Sequence, residues 1–205
     1  MLVPNLGTRK VIAMHHSSPN KSVKTPSLKQ RSLQAFTLIE LLVVIAIIAI
    51  LASLLMPAMS SAMNSAKKTT AKQQATSIAT AITGYETEYG RLPTNAPGSS
   101  NVDSTLVVTL CSTNDTNGNP RGLIFMEASA WKPGKGGTNS SGFADPFGST
   151  NIYFVAMDTG YTNSITVPTQ TNPGGPITMT NLSKQVGVWT VWTNNTKTYL
   201  IDSWD

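Results

Sequence analysis

Gln34-Ala35-Phe36-Thr37-Leu38-Ile39-Glu40-Leu41-Leu42-Val43-Val44-Ile45-Ala46-Ile47-Ile48-Ala49-Ile50-Leu51-Ala52-Ser53-Leu54-Leu55-Met56 is an apolar run that carries one carboxylate near its front. From Phe36 to Met56 only Thr37, Glu40 and Ser53 are polar. At about 1.5 Å per residue, a helix of that length spans roughly 30 Å, the hydrocarbon thickness of a bilayer. A lone acid at the centre of such a segment costs about 2.5–3.5 kcal/mol, so Glu40 needs a reason to be there.

The segment before this run holds Arg9, Lys10, Lys21, Lys24, Lys29 and Arg31 and no acid. The positive-inside rule therefore places residues 1–35 in the cytoplasm and everything after Pro57 across the membrane. The chain's formal charge of +5 comes from 15 basic and 10 acidic residues. Without residues 1–35, nine basic residues remain against ten acidic ones, a net charge of −1. The basic excess is thus a topology signal, and no nucleic-acid partner is expected. A secretory signal peptide would have a shorter apolar core, about 7–15 residues, before its small-residue cleavage site. Ala58 and Ala62 would serve as such a site, but the run is too long. A plain single-pass anchor explains the length and the flanking charge, yet not Glu40.

The order Phe36-Thr37-Leu38-Ile39-Glu40-Leu41-Leu42 resembles the processing and assembly signal of type IV prepilins and of type II secretion pseudopilins. The resemblance implies cleavage between Ala35 and Phe36 by a prepilin peptidase/methyltransferase, and N-methylation of Phe36. Glycine is usual before the cut, and Ala35 departs from it by a methyl group. Assembly by the apolar helices is implied as well, with the Glu40 carboxylate beside a neighbour's Phe36 ammonium. Two buried charges that are costly alone become tolerable as a pair, and any other stagger leaves both unpaired.

Past the membrane, Met59, Met63, Ala66, Ala71, Ala75, Ile78, Ile82, Tyr85 and Tyr89 recur at mostly three- or four-residue spacing. This predicts an amphipathic helix laid on a globular domain, with the tyrosines in a helix–sheet contact. Pro57 should kink or loosen it, and Gly90 and Pro93 should end it. Residues 95–205 are rich in Asn, Thr, Ser, Gly and Pro. Apolar runs at 106–110, 123–126, 152–157, 165–167, 186–191 and 198–201 predict short strands. Residues 95–104 and 168–176 read as loops, and 131–142 as a flexible excursion. The expected organisation is a removed leader (1–35), a transmembrane assembly helix (36–57), its amphipathic continuation (58–92) and a periplasmic domain (93–205). The expected fold is α+β and pilin-like: a long N-terminal helix, transmembrane in its first half, packed on a small antiparallel sheet with long loops.

Asp145-Pro146-Phe147-Gly148 followed by Asn151-Ile152-Tyr153 resembles a second signature, found in major pseudopilins, with Phe147 in place of tryptophan. Val188-Trp189-Thr190 and Ile201-Asp202-Ser203-Trp204 resemble that group more loosely. The resemblance implies a calcium site near Asp158, with Asn163 and Asp202 as helpers. Calcium takes six to eight oxygens, usually several carboxylates, and only Asp158 is acidic in residues 158–164. An Asx turn between two strands explains the same residues.

His15 and His16 both precede Phe36, so the processed chain has no histidine. That removes Ser-His-Asp and Cys-His catalysis and nearly all zinc sites. Cys111 is the single cysteine and has no intrachain disulfide partner, which favours a pseudopilin over disulfide-closed adhesive pilins. Trp131, Trp189, Trp192 and Trp204 are expected in packing. The reading is a non-enzymatic pseudopilus subunit of a type II secretion system. Its expected partners are copies of itself, other pseudopilins, an inner-membrane assembly platform and membrane lipid. The rivals are a surface type IV pilin and an anchored periplasmic module that does not polymerise.

Overall fold

The computed structural model describes residues 36–95, 100–113, 115, 118–172, 174–194 and 197–204. The expected leader, with Ala35, lies outside the described residues. The chain divides into two units, residues 1–47 and 48–205, each taken by itself.

Helix α1 covers Leu38–Tyr89 and runs without a break through Pro57. Proline cannot donate to the Ser53 carbonyl one turn back, but loss of that bond does not interrupt the helix. The Ser53 hydroxyl donates to the Ile50 carbonyl at 2.8 Å. Gly90 ends α1: its φ is +65° and its N–H donates to the Glu86 carbonyl at 2.8 Å. A left-handed residue just past the last turn is where glycine closes a helix without strain.

Burial on α1 begins at Ala71 and continues through Ala75, Ile78, Ala81, Ile82 and Tyr85. The spacing of three or four residues puts these on one face. They form a core with Val102, Leu106, Leu110, Phe143, Tyr153, Val155, Val186, Val188 and Ile201. Met59 and Met63 remain exposed. They extend the apolar stripe beyond the core.

Seven short strands follow: β1 Gly137–Asn139, β2 Gly142–Ala144, β3 Phe154–Met157, β4 Ile165–Gln170, β5 Ile177–Leu182, β6 Val186–Asn194 and β7 Lys197–Asp202. Strands β3, β6 and β7 make an antiparallel sheet in the order β3-β6-β7, with Trp189 opposite both Phe154 and Asp202. The β4–β5 ribbon approaches this sheet at Gly187. A Cβ there would meet Ile165 Cδ1 at 2.9 Å and Val167 Cγ1 at 3.0 Å, so any larger residue would make these side chains shift. The architecture is α+β and pilin-like, a long apolar N-terminal helix packed against small antiparallel sheets.

Two expected strands are not strands. Residues 106–110 lie in helix α2, Ser104–Cys111. Asp103 caps it, its side chain accepting from the Leu106 N–H at 3.0 Å, and Leu106 and Leu110 are buried one turn apart. A short run rich in valine carries no period long enough to separate strand from helix. Residues 123–126 are irregular, the Phe125 and Met126 amides both donating to the Leu110 carbonyl at 2.9 and 3.2 Å. The expected excursion at 131–142 is instead ordered by the β1–β2 pairing and by a turn in which Lys135 and Gly136 both donate to the Lys132 carbonyl. Residues 168–170 belong to β4, and Pro168 is tolerated because a two-stranded ribbon has free edges.

Candidate functional site

Thr37 and Glu40 form a reciprocal cap at the start of α1. The Thr37 N–H donates to Glu40 Oε2 at 2.9 Å, and the Thr37 hydroxyl donates to the same oxygen at 2.7 Å. In return the Glu40 N–H donates to Thr37 Oγ1 at 3.3 Å. This is a capping box, which satisfies amides that the first helical turn otherwise leaves without partners. A carboxylate also suits the positive end of the helix dipole. Both bonds from Thr37 fall on Oε2, and among the described residues no hydrogen bond reaches Oε1. Thr37 was missed as a site residue, although Thr-x-x-Glu ahead of an apolar run is a readable signal. Phe36 beside it is 74% exposed.

Leu38, Ile39, Leu41, Leu42, Val43, Val44, Ile45 and Ile47 are exposed in the first unit, and Ile48, Ile50, Leu51, Leu54, Leu55 and Met56 in the second. Helix α1 is long and apolar enough to cross a membrane. Water-exposed apolar patches seldom exceed a few hundred Å², and a surface of this kind is consistent with a membrane anchor.

Asp145 and Tyr153 fasten the sheet region to α1. The Asp145 side chain is fully buried. Its Oδ1 accepts from the Phe147 and Gly148 amides at 2.8 and 3.1 Å, and its Oδ2 from the Thr190 hydroxyl on β6 at 2.6 Å. Burial pushes this carboxyl up, against the opposing hydrogen bonds from Thr190, Phe147, Gly148 and Asn151. The Trp131 indole N–H donates to the Asp145 carbonyl at 2.9 Å. Phe147 stacks on Trp192 at 4.8 Å and Trp192 on Tyr199 at 5.2 Å, and Lys68 Nζ sits 3.4 Å from the Tyr199 ring centre. The buried Tyr153 hydroxyl lies 3.0 Å from both the Ala71 carbonyl and Gln74 Oε1. Burial raises the Tyr153 phenol, and the Asp145 charge adds to the shift. The segment that resembles a family signature is thus a structural clamp. Phe147 makes a ring stack where the family usually has tryptophan.

The structure does not bring the three expected calcium ligands together. Asp158 follows β3, and its amide donates to the Gln185 carbonyl at 2.8 Å. Asp202 is on β7 opposite Trp189, across the intervening strand β6. The two anchor points are thus four residues, or about 13 Å, apart along that strand. Asp158 Oδ1 accepts from the Thr162 hydroxyl at 3.1 Å and Oδ2 from the Ser164 amide at 3.3 Å. Asn163 lies in the same loop with φ +54°. Among the described residues no three His, Cys, Asp or Glu side chains cluster. This donor set does not fit calcium, and Asp158 makes the loop-closing bonds of a polar turn.

Burial alone would raise the Asp158 carboxyl, but bonds from Thr162, Ser164 and Asn163 outweigh it and hold it below the usual 3.8. Such a group contributes stability that is present above its unfolded value and lost as pH falls through the folded one. Asp158→Asn is therefore expected to make thermal stability fall less steeply below pH 3.8 than in the unaltered chain. Equal slopes in melts across that range would show that these bonds do not favour the charged form.

Tyr85 lies in the core shared with the strands and Tyr89 packs against that core, and both also reach the loop after α2. Their hydroxyls donate to the Gly118 carbonyl at 2.5 Å and to Asn119 Oδ1 at 2.6 Å. Asn119 is buried and was not singled out from sequence. Its Nδ2 lies 3.1, 3.2 and 2.6 Å from the carbonyls of Thr109, Ser112 and Leu123. No periodic pattern marks such a residue in an Asn-rich stretch.

Cys111 is half-buried, and burial pushes its thiol up to about 11. The thiolate is the reactive form. Alkylation at pH 8 is expected to be about a hundred-fold slower in the folded chain than after denaturation. Equal rates in a timed iodoacetamide assay would place Cys111 in water.

The prokaryotic N-terminal methylation motif matches residues 31–56 as a family model. The matched span covers the expected cut before Phe36, the Thr37–Glu40 cap and the apolar run. No curated protein and no solved structure gives a match.

Proposed function

We propose that this chain, which carries the processing motif of type IV prepilin-like proteins on a pilin-like fold, is a structural subunit of a type II secretion pseudopilus. The motif implies processing by a prepilin peptidase and self-assembly into a filament. The observation that carries the reading is the Thr37–Glu40 cap at the head of an uncovered apolar helix. In the filament, Glu40 Oε1 receives the methylated ammonium of a neighbour's Phe36, while Oε2 keeps its bonds to Thr37. Thr37 is then a positioning residue that fixes the carboxylate. Packing of the apolar faces covers what lipid covers before assembly.

The subunit starts as a single-pass inner-membrane protein with its C-terminal domain in the periplasm, and enters the filament from there. Two features support a secretion pseudopilus over a surface pilus: the Asp145–Tyr153 clamp, on a segment that resembles major pseudopilins, and the lone Cys111. Intact-mass measurement and N-terminal sequencing of the protein from native membranes provide the test. The expected product begins at Phe36 with one added methyl group, and deletion of the gene blocks secretion without removing surface fibres. An intact leader, or a cut near Ala58–Ala62, would overturn the filament reading. Loss of surface fibres with secretion intact would identify a type IV pilin instead.

A further inference from the structure

Charge in the second unit is unevenly placed. Residues 67–72 contain Lys67, Lys68 and Lys72, residues 131–137 contain Lys132 and Lys135, and neither segment has an acid. The remainder of the chain after Ala35 has four basic residues against ten acidic ones. The fold brings the two lysine segments together. The Gln74 side-chain amide donates to the Lys135 carbonyl at 2.7 Å, and a Cβ on Gly134 would lie 3.6 Å from Lys67 Cε. Lys72, Lys132 and Lys135 are exposed and Lys67 is half-buried. Lys68 is held over Tyr199, while Lys72 stands on the α1 wall of an open groove of about 970 Å³, with Glu127 and Asp202 also in its lining. Among the described residues the one ion pair is Arg121–Glu88, which leaves these lysines without a carboxylate partner.

We infer that this basic collar docks the globular unit on anionic phospholipid headgroups before the subunit is assembled. The inference rests on the proposed anchoring by residues 36–56 and adds a second, electrostatic contact to it. Position argues for lipid as the occupant. The residues between Met56 and Lys67 rise about 16 Å along α1. The headgroup layer fills about 5–8 Å of that rise, and the rest is about one Debye length at physiological salt. Helical side chains lean toward the N-terminus, so the Lys67 ammonium and the loop packed on it lie nearer the surface than the backbone does. Exposed Met59 and Met63 fill the interval with apolar side chains that suit the interface. Each lysine that reaches an anionic surface favours the docked state about five-fold, and salt screens the effect.

The test is hydrogen–deuterium exchange on the full processed chain, one copy per lipid nanodisc, in phosphatidylcholine with and without phosphatidylglycerol. Exchange of residues 129–138 is expected to slow by more than ten-fold in the anionic discs. The slowing should vanish at high salt and in the Lys132→Gln/Lys135→Gln double variant, whose exposed side chains leave the fold intact. Protection of residues 41–56 in every disc reports the anchor separately. If that segment exchanges freely, the anchoring reading fails and the collar falls with it. If it is protected while residues 129–138 ignore phosphatidylglycerol, the collar alone is wrong. Slowing that appears only with several copies per disc would make the occupant another subunit and overturn lipid docking.

Discussion

Replacement of Glu40 by alanine is expected to abolish filament assembly while membrane insertion and the cut before Phe36 proceed normally. Two losses contribute, and their sizes differ. The capping box with Thr37 is solvent-exposed and secures only the first helical turn, a small effect. Removing one partner of a buried charge pair leaves the other uncompensated, at a cost of about 3–5 kcal/mol, or several hundred-fold and more per contact. A filament repeats that contact at every subunit, so the charge effect dominates. Glu40→Gln separates the two, because glutamine can serve in a capping box but carries no charge. The expectation is that Glu40→Gln fails to assemble almost as completely as Glu40→Ala. Thr37→Ala, which keeps the charge but loosens its carboxylate, should lower filament yield more mildly. Yields of sheared or sedimented filaments, with N-terminal sequencing as the check on processing, give the answer. Wild-type assembly by Glu40→Gln would reduce the role of Glu40 to helix capping.

The parts of this architecture that sequence made visible are those with a long period or a local rule. A long uncharged run, a carboxylate out of place and a glycine just past the last helical turn each signal alone, and α1 ends at Tyr89 as Gly90 requires. Short elements gave the opposite result. Leu106-Val107-Val108-Thr109-Leu110 has the composition of a strand but folds as α2, because Asp103 caps it and Leu106 and Leu110 share one buried face. Ile177-Thr178-Met179-Thr180-Asn181-Leu182 shows the alternation of a strand and was passed over. Its partner β4 ends inside a proline- and glycine-rich stretch that reads as loop. At the start of α1, Glu40 stood out by the cost of its charge, whereas Thr37 is cheap anywhere and was noticed only through its bonds. Strand register decides which carboxylates meet, and here it sets Asp158 and Asp202 on opposite sides of β6.

The second large effect is expected from Asp145→Ala, and it falls on stability rather than assembly. Alanine would leave the Phe147 and Gly148 amides and the Thr190 hydroxyl without their acceptor in a site closed to water. A buried donor left unmade costs about 1–3 kcal/mol, so the three together imply a loss of about 3–5 kcal/mol once partial relaxation is allowed. For a domain of this size that lowers the melting temperature by roughly 10 °C or more. The magnitude matters because a net stability of about 5–15 kcal/mol would be cut substantially. Thr190→Val takes away one donor and leaves the buried Asp145 Oδ2 with one bond fewer, and should cost about 1–3 kcal/mol. Asp145→Asn keeps an acceptor for one side of the site and should fall between the two. Thermal melts of the full processed chain in detergent measure all three, and an Asp145→Ala melt within a degree of the unaltered chain would remove the clamp from the account. The Asp145 and Glu40 variants should also fail differently. Asp145→Ala carries an intact cap and charge at its N-terminus, so lowering the temperature below its melting point should restore assembly. No temperature should restore assembly to Glu40→Ala, because its defect is a missing charge and not a loosened fold.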